Sequence, residues 1–193
     1  MMIAILKYNA GNTQSVENAV KRLGYECVVT DDRQLLQSAE KVIFPGVGEA
    51  ASAMEYLRGK NLDEVVKSLT QPVLGICLGL QLMCRYSEEG DTNGLGIFDV
   101  DVKKFPPKDK VPHMGWNTIS KSENQLFNRL LPDDNVYFVH SYYAELSQFT
   151  IAECDYILPF SAALQKNNFY AVQFHTEKSG TVGEQILTNF LKL

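Results

Sequence analysis

The strongest structural signal in the chain is the run Pro72-Val73-Leu74-Gly75-Ile76-Cys77-Leu78-Gly79-Leu80-Gln81-Leu82-Met83. It predicts a buried strand over 73–76, a sharp turn at Cys77 and a helix over 78–86. A glycine stands two residues to either side of the cysteine, as in the G-x-S-x-G elbow that lifts a nucleophile off the strand ends. A helix N-terminus would also favour thiolate over thiol. A plain buried cysteine is the alternative, but the two glycines favour a nucleophile.

The rest of the first half alternates short apolar runs with amphipathic helical patterns. Strands are predicted over 2–6, 26–30 and 41–44, and helices over 14–23, 33–38, 49–57 and 62–68. The second half is mostly extended, with strands near 94–105, 111–119, 136–140, 149–154, 162–166 and 169–174 and a short helix over 125–130. A closing helix starts at Thr181, where Glu184 completes a capping box. We predict an α/β fold: a central, mostly parallel, flavodoxin-like sheet flanked by helices, with an antiparallel extension in the second half. We interpret residues 1–193 as a single domain.

Composition argues against several classes of function. The chain has 193 residues and a formal net charge of -5, which disfavours nucleic acid as the main partner. No apolar run approaches the length of a membrane span, and the N-terminus is too short for a signal peptide. The four cysteines show no C-x-x-C pair or metal spacing. We therefore predict no metal, no cofactor, no membrane contact and reduced thiols in the cytoplasm.

Three histidines are candidates for the general base that a cysteine nucleophile needs. His175 follows an apolar strand and would lie at its carboxyl end, where α/β sheets collect their sites. Glu177 would share its face while the chain remains extended, and could orient the imidazole. His140 lacks a nearby carboxylate and is predicted to pack or hydrogen-bond near the site. His113 stands beside a proline in a stretch that resembles an exposed segment, so we give it no catalytic role.

An oxyanion hole could come from two backbone segments. One is the N–H of Leu78, directly after the nucleophile. The other is the loop Pro45-Gly46-Val47-Gly48, where the glycines permit conformations that aim an N–H at a developing oxyanion. A simple strand-to-helix turn would use the same residue types. Together with the elbow, the loop indicates a catalytic site.

These residues resemble the class I (triad) glutamine amidotransferases, through Gly75-Ile76-Cys77-Leu78-Gly79-Leu80-Gln81 and His175-Thr176-Glu177 in the chain order Cys, His, Glu. Other segments resemble the glutaminase subfamily that forms part of imidazole glycerol phosphate synthase. They are Pro45-Gly46-Val47-Gly48, Pro112-His113-Met114-Gly115-Trp116-Asn117, Phe138-Val139-His140-Ser141-Tyr142 and Glu177-Lys178-Ser179-Gly180. The resemblance spans essentially the whole chain and implies the class I amidotransferase fold.

The resemblance implies that L-glutamine is hydrolysed to glutamate and ammonia through a γ-glutamyl thioester on Cys77. His175 would be general base and then acid, oriented by Glu177, and Val47 and Leu78 would be the oxyanion donors. The glutamine contacts would be Gly48, Gln81, Ser141 and Tyr142.

Ammonia would pass to the cyclase subunit HisF, a (β/α)8 barrel, in a heterodimer of histidine biosynthesis. The cyclase would make imidazole glycerol phosphate and aminoimidazole carboxamide ribotide. A shielded route would keep the ammonia unprotonated. We also predict that the Val47 peptide is misaligned until the cyclase binds. The candidates for the face turned to the cyclase are Met114, Trp116, Asn117, Tyr137 and Lys178, although Trp116 could equally be a core residue.

One residue departs from the family pattern, which commonly has proline between the catalytic histidine and glutamate. This chain has Thr176, which we expect to loosen that turn without removing either catalytic side chain. A glutaminase of this kind feeding another synthase, such as a surface-sugar amidotransferase, is therefore an alternative. A cysteine hydrolase or stress protein of the same sheet type often has histidine directly after the cysteine, where this chain has Leu78. A non-catalytic binding module is disfavoured because all three triad residues are present.

Overall fold

The structure is a computed structural model that describes residues 2–193. Its helices are α1 (Thr13–Arg22), α2 (Arg33–Ser38), α3 (Ala50–Gly59), α4 (Leu62–Ser68), α5 (Leu78–Met83) and α6 (Gly180–Leu191), with short 3-10 helices at Gln125–Phe127 and Thr176–Lys178. The strands of the first half are β1 (Ile3–Leu6), β2 (Cys27–Thr30), β3 (Lys41–Phe44), β4 (Val73–Ile76), β5 (Cys84–Ser87) and β6 (Thr92–Asn93). Those of the second half are β7 (Phe98–Lys104), β8 (His113–Thr118), β9 (Ser120–Lys121), β10 (Asn135–His140), β11 (Tyr142–Ala144), β12 (Thr150–Tyr156), β13 (Leu158–Lys166) and β14 (Phe169–Val172).

The sheet has a parallel half and a largely antiparallel half, as the sequence predicts. Neighbouring strands in the order β2-β1-β3-β4-β14 all pair in parallel. Beyond β14 the order continues β13-β11-β7, and each of these pairings is antiparallel. The strands β3, β4 and β14 are adjacent, so the residues that follow them emerge together at the carboxyl edge of the sheet. This edge carries the site.

Helices cover both faces of the parallel half. Alternate residues of β1 point to opposite faces: Ile3 and Ile5 pack with residues of α1 and α6, whereas Ala4 and Leu6 pack with residues of α2, α3, α4 and α5. All four β1 residues are fully buried. The strands are therefore apolar on both sides, which is typical of parallel sheets between helical layers.

Two strands form a separate ribbon. β8 pairs with β10 in antiparallel fashion, with Trp116 opposite Tyr137 and His113 opposite His140. We call β8 and β10 the ribbon. It is joined to the segment after β14, because the N–H of His175 donates to the Tyr137 carbonyl at 2.9 Å. The hydroxyl of Ser179 accepts from the Tyr137 N–H at 2.9 Å.

Two predicted helices end three residues early, and the one predicted over 125–130 is a 3-10 helix that ends at Phe127. The helix after Cys77 ends at Met83 rather than continuing to residue 86, because Cys84 turns to an extended conformation and starts β5, which pairs with β7. Tertiary pairing overrides the helical pattern there. Within residues 2–193, no helix is long and apolar enough to cross a membrane.

The predicted capping box of the last helix is wrong. The helix starts at Gly180, with Ser179 at the N-cap position and no side-chain capping bond. The Ser179 hydroxyl donates instead to the His175 carbonyl at 2.6 Å, and Glu184 forms an ion pair with Arg22. The start of α6 therefore serves to hold the segment that carries His175.

Candidate active site

Cys77 stands at the tip of the predicted elbow, between β4 and α5. Its backbone has φ 54° and ψ -106°, a strained conformation for a residue other than glycine. A Cβ at Gly79 would overlap the Phe44 carbonyl, and one at Gly75 would lie 3.0 Å from Met83 Sδ. The two glycines thus let α5 pack closely on β3 and β4, while the strained turn itself falls on the cysteine.

His175 and Glu177 are joined as the sequence predicts, although not through an extended chain. The distance from His175 Nδ1 to Glu177 Oε1 is 2.7 Å, and both side chains are 2% exposed. Residues 176–178 form a 3-10 turn that brings the carboxylate back to the ring. The Nε2 atom of His175 has no hydrogen-bond partner among residues 2–193, and His175 and Cys77 line the same cavity. The ring is therefore oriented by Glu177 and free to exchange a proton on the other side.

The charges around His175 favour its protonated form. Burial lowers the pKa of His175 and is the largest single influence on it, but the Cys77 sulfur and the Glu177 carboxylate together outweigh burial and raise that pKa to about 10. The imidazole therefore holds a proton at neutral pH, beside the sulfur that would lose one. This arrangement suits a thiolate–imidazolium pair.

In the loop after β3, both predicted oxyanion donors are already engaged in backbone hydrogen bonds. The N–H of Val47 donates to the Ala10 carbonyl at 2.6 Å, and the Gly46 carbonyl accepts from the Leu78 N–H at 3.3 Å. These two groups belong to the same Gly46–Val47 peptide. In this conformation neither Val47 nor Leu78 presents a free N–H to the site.

A cavity of about 350 Å³ opens in front of Cys77. The predicted glutamine contacts all line it, together with the triad residues Cys77 and His175; those contacts are Gly48, Gln81, Ser141 and Tyr142. Val47, Leu78 and His140 line it as well.

Glu89 also lines the cavity, and sequence reasoning missed it. Its carboxylate accepts from the Ala50 N–H at the start of α3 at 2.9 Å, and burial raises its pKa. Glu89 lies in the turn between β5 and β6, beside another acidic residue and a glycine. In the sequence such a run resembles an ordinary solvated turn, and no spacing connects it to Cys77.

The predicted partner-facing residues cluster on and beside the ribbon. Met114 is 63% exposed and Trp116 is 57% exposed, so the alternative of a core tryptophan is wrong. Trp116 packs edge-on against Tyr137, with ring centroids 5.8 Å apart. Asn117 is half-buried and Lys178 is exposed. Met114 and Trp116 therefore give one face of the ribbon an exposed apolar surface, whereas Asn117 points to the other face and donates to the Asp155 carbonyl at 3.3 Å. Val47, which lines the cavity, is 38% exposed.

His113 is not in an exposed stretch, contrary to the sequence prediction. It is 3% exposed and stacks between Phe138 and Tyr156, with ring centroids 4.7 and 4.0 Å away. Its Nδ1 lies 3.0 Å from Nε2 of His140. Burial lowers the pKa of His113 to about 4 and that of His140 to about 3, so both rings are neutral at physiological pH. His140 packs near the site as predicted.

Comparison with known proteins identifies the same family of enzymes as the resemblance in the sequence. The family model for glutamine amidotransferase class-I matches residues 4–193. The imidazole glycerol phosphate synthase subunit HisH of Bacteroides thetaiotaomicron is 61% identical, with all of both chains covered. HisH of Escherichia coli (strain K12) is 46% identical with the same coverage. HisH of Pasteurella multocida is 47% identical over 98% of this chain and 97% of its own.

Solved structures share the fold at low sequence identity. A glutamine amidotransferase has a TM-score of 0.76 and 18% identity, covering 98% of this chain and 97% of its own. PurLQS from Thermotoga maritima has a TM-score of 0.74 and 14% identity, covering 99% of this chain and 97% of its own. The fold, the family model and the full-length relatives agree, and the chain therefore belongs to the class-I glutamine amidotransferases and, within them, to the HisH family.

Proposed function

We propose that this protein is the glutaminase subunit of imidazole glycerol phosphate synthase in histidine biosynthesis. It hydrolyses L-glutamine and passes the ammonia to the cyclase subunit HisF. The observation that carries the proposal is the meeting of Cys77, the His175–Glu177 pair and a cavity of about 350 Å³ at one edge of the sheet. Relatives named HisH, 44–61% identical over nearly the whole chain, support the same role.

The chemistry follows from the protonation states of Cys77 and His175, a thiolate beside an imidazolium. The Cys77 thiolate attacks the side-chain amide carbon of glutamine, and the carbonyl oxygen becomes an oxyanion. The His175 imidazolium gives its proton to the leaving nitrogen, so ammonia departs and a γ-glutamyl thioester remains. The neutral imidazole then takes a proton from water, which attacks the thioester and releases glutamate. Glu177 holds the ring and stabilises its charged form in both halves of the cycle.

Five cavity residues are proposed to hold the substrate. Gly48, Gln81, Ser141 and Tyr142 are the contacts expected from the sequence, and all of them line the cavity. We add Glu89, whose carboxylate is the acidic group in the lining. It would receive the α-ammonium group of glutamine through a charge-assisted hydrogen bond.

The oxyanion hole requires one conformational change. Rotation of the Gly46–Val47 peptide would release the Leu78 N–H from the Gly46 carbonyl and turn the Val47 N–H into the place that the carbonyl leaves. Both donors would appear in a single step. The rotation must break the 2.6 Å bond to Ala10, so the protein would be nearly inactive until binding of the cyclase supplies that free energy.

The partner face is proposed to be Met114, Trp116, Asn117, Tyr137 and Lys178. Tyr137 on this face is hydrogen-bonded through its carbonyl to the His175 N–H, so a docked cyclase would lie close to the triad. Ammonia released at Cys77 would then move to the partner without reaching bulk water. The heterodimer and a cytoplasmic location are parts of this proposal.

The proposal is tested by measuring glutamate release and imidazole glycerol phosphate formation in the complex with HisF. We expect Cys77→Ala to abolish both with glutamine, while added ammonia still supports cyclisation. Cys27→Ala, at the far edge of the sheet, is the matched control and should keep full activity. Glutamine turnover by Cys77→Ala would contradict the thioester route. Failure to bind HisF or to couple the two reactions would indicate another ammonia acceptor.

The peptide rotation is tested separately by structures of the complex. With a glutamine analogue on Cys77 and HisF bound, the Val47 N–H should point at the substrate oxygen and no longer at Ala10. If the Val47–Ala10 bond persists in a complex that is turning over glutamine, the rotation is excluded.

A further inference from the structure

A pair of buried glutamine side chains lies behind the nucleophile. Gln173 is fully buried and Gln81 is 5% exposed. We propose that Gln173 is a further catalytic residue, whose side-chain N–H donates to the Cys77 sulfur and stabilises the thiolate. This inference rests on Cys77 being the nucleophile of the proposed function.

The contacts run from the sulfur to the wall of the substrate cavity. Gln173 Nε2 lies 3.7 Å from Cys77 Sγ. Gln173 Oε1 accepts from Gln81 Nε2 at 3.0 Å, and the same Gln81 nitrogen donates to the Tyr142 carbonyl at 3.0 Å. His140 Nδ1 lies 2.7 Å from that carbonyl as well. The sulfur and the carbonyl of a cavity residue are thus joined by two amide side chains.

The backbone carbonyl of Tyr142 fixes the direction of every bond in this chain. A carbonyl only accepts, so the Gln81 atom facing it must be the nitrogen. That nitrogen has a second hydrogen, which requires the oxygen of Gln173 opposite it. The amide nitrogen of Gln173 is then the group left to face Cys77. The side chain consequently presents a donor, and not an acceptor, to the sulfur.

A donor at this position favours the charged form of the nucleophile. A hydrogen bond to a thiolate lowers its free energy relative to the thiol, and the bond is stronger where water is excluded. The backbone also holds Gln173 in place, since its N–H donates to the Ala162 carbonyl at 2.8 Å. Gln173 stands two residues before His175. One short segment therefore delivers both the base and the donor to the sulfur.

Two substitutions separate the donor from the shape of the side chain. Gln173→Met keeps most of the volume but removes the donor. Gln173→Glu keeps the oxygen that accepts from Gln81 and replaces the N–H at the sulfur with a second oxygen. Gln71→Met, at the opposite end of β4 from Cys77, is the matched control, because its amide donates to the Leu36 carbonyl and accepts from the Thr70 N–H, both far from the sulfur.

The experiment follows iodoacetamide alkylation of Cys77 by mass spectrometry against pH in the full chain, with the half-buried Cys27 as internal reference. We expect the midpoint of the Cys77 pH–rate profile to rise by about 0.5 to 1 pH unit in Gln173→Met. The rise should be larger in Gln173→Glu, and absent in Gln71→Met. In the complex with HisF, kcat for glutamine should fall about 10- to 100-fold with little change in KM.

An unchanged midpoint in both folded Gln173 variants would overturn the inference, even if activity falls. If Gln173→Met fails to fold, Gln173→Glu still decides the question, since it keeps the bond to Gln81. Failure of the proposed function itself looks different: Cys77→Ala would then still release glutamate, whatever the profiles of the Gln173 variants.

Discussion

Gly46 belongs to the peptide that is proposed to rotate. A Cβ there would overlap the Tyr8 hydroxyl and lie 2.8 Å from the Leu78 Cβ. We expect Gly46→Ala to lower the free energy of unfolding by about 1–3 kcal/mol through overpacking. It should also abolish glutaminase activity in the complex. Urea unfolding and glutamate release measure the two effects.

The control for this prediction is a double-mutant cycle with Tyr8→Phe. The Tyr8 hydroxyl donates to the Pro45 carbonyl at 2.6 Å and is the nearest obstacle to the new methyl group. Removing it should return part of the stability lost in Gly46→Ala, giving a coupling free energy well above zero. Strict additivity of the two substitutions would show that the methyl group is accommodated elsewhere.

Thr176 occupies the position where the family commonly has proline. Its hydroxyl is buried with no hydrogen-bond partner within residues 2–193, and the residue opens a 3-10 helix, where an N–H has no helical acceptor. His175 is extended, as a residue before proline should be. We expect Thr176→Pro to raise the free energy of unfolding by about 1 kcal/mol, measured in urea.

Thr176→Val separates the two causes, since it removes the hydroxyl and keeps the N–H. Thr176→Val should give part of the rise in the free energy of unfolding that is expected for Thr176→Pro. If Thr176→Pro is less stable than Thr176→Val, the backbone at this position resists the proline ring, and threonine is there for a conformational reason.

At the scale of elements, the ribbon connects the proposed partner face to the triad. Trp116 packs on Tyr137, whose carbonyl accepts from the His175 N–H. We expect Trp116→Ala to weaken binding of HisF by about 10-fold or more, because exposed aromatic anchors dominate interfaces. Calorimetric titration with HisF measures the affinity.

Leu146→Ala is the control for the ribbon, since Leu146 is a 45% exposed apolar residue in the loop after β11. It should leave the affinity for HisF unchanged. Trp116→Ala should also leave the stability of the free protein nearly unchanged because the ring is mostly exposed. Equal effects of both substitutions on affinity would place the partner face elsewhere.

The sequence predicted the elements whose signals are local. The elbow strand, the parallel order of the first half and the antiparallel extension all follow from apolar runs, glycines and helical patterns. Elements that depend on distant pairing were missed or misplaced. β5 begins where a helix was expected because β7 pairs with it, and nothing near Cys84 in the sequence signals that partner.

The site shows the same division between local and distant signals. Cys77 and the His175–Glu177 pair are visible in short motifs, whereas Glu89 and Gln173 reach the cavity or the sulfur only through the fold. His113 looked exposed because the residues beside it on β8 alternate toward solvent; its own side chain points inward onto aromatic rings. That residues 1–193 form one domain stays a prediction.

At the scale of the whole molecule, buried neutral histidines make stability depend on pH. The pKa values of His113 and His140 in the fold are about 4 and about 3, below the ordinary value near 6.5 of an unfolded chain. Between these folded values and pH 6.5, the unfolded chain binds more protons at the two histidines than the folded chain does. Stability is therefore fully present above pH 6.5 and is lost as the pH falls, by up to ~1.4 kcal/mol per pH unit for each histidine.

His175 changes stability in the opposite direction and at higher pH. Its pKa is raised to about 10, so its stabilising effect is fully present below the unfolded value near 6.5 and is lost progressively as the pH rises from that value through about 10. Urea unfolding between pH 6 and 5, where His175 is protonated in the fold and mostly protonated in the unfolded chain and most carboxylates are still ionised, reports mainly on the two buried rings. We expect the free energy of unfolding to fall steadily over that range. His113→Gln should flatten the slope of this free energy against pH, because one of the two titrating rings is gone. The slope that remains would come from His140. An equally steep slope in that variant would mean that the acid sensitivity of the fold arises elsewhere than between the ribbon strands.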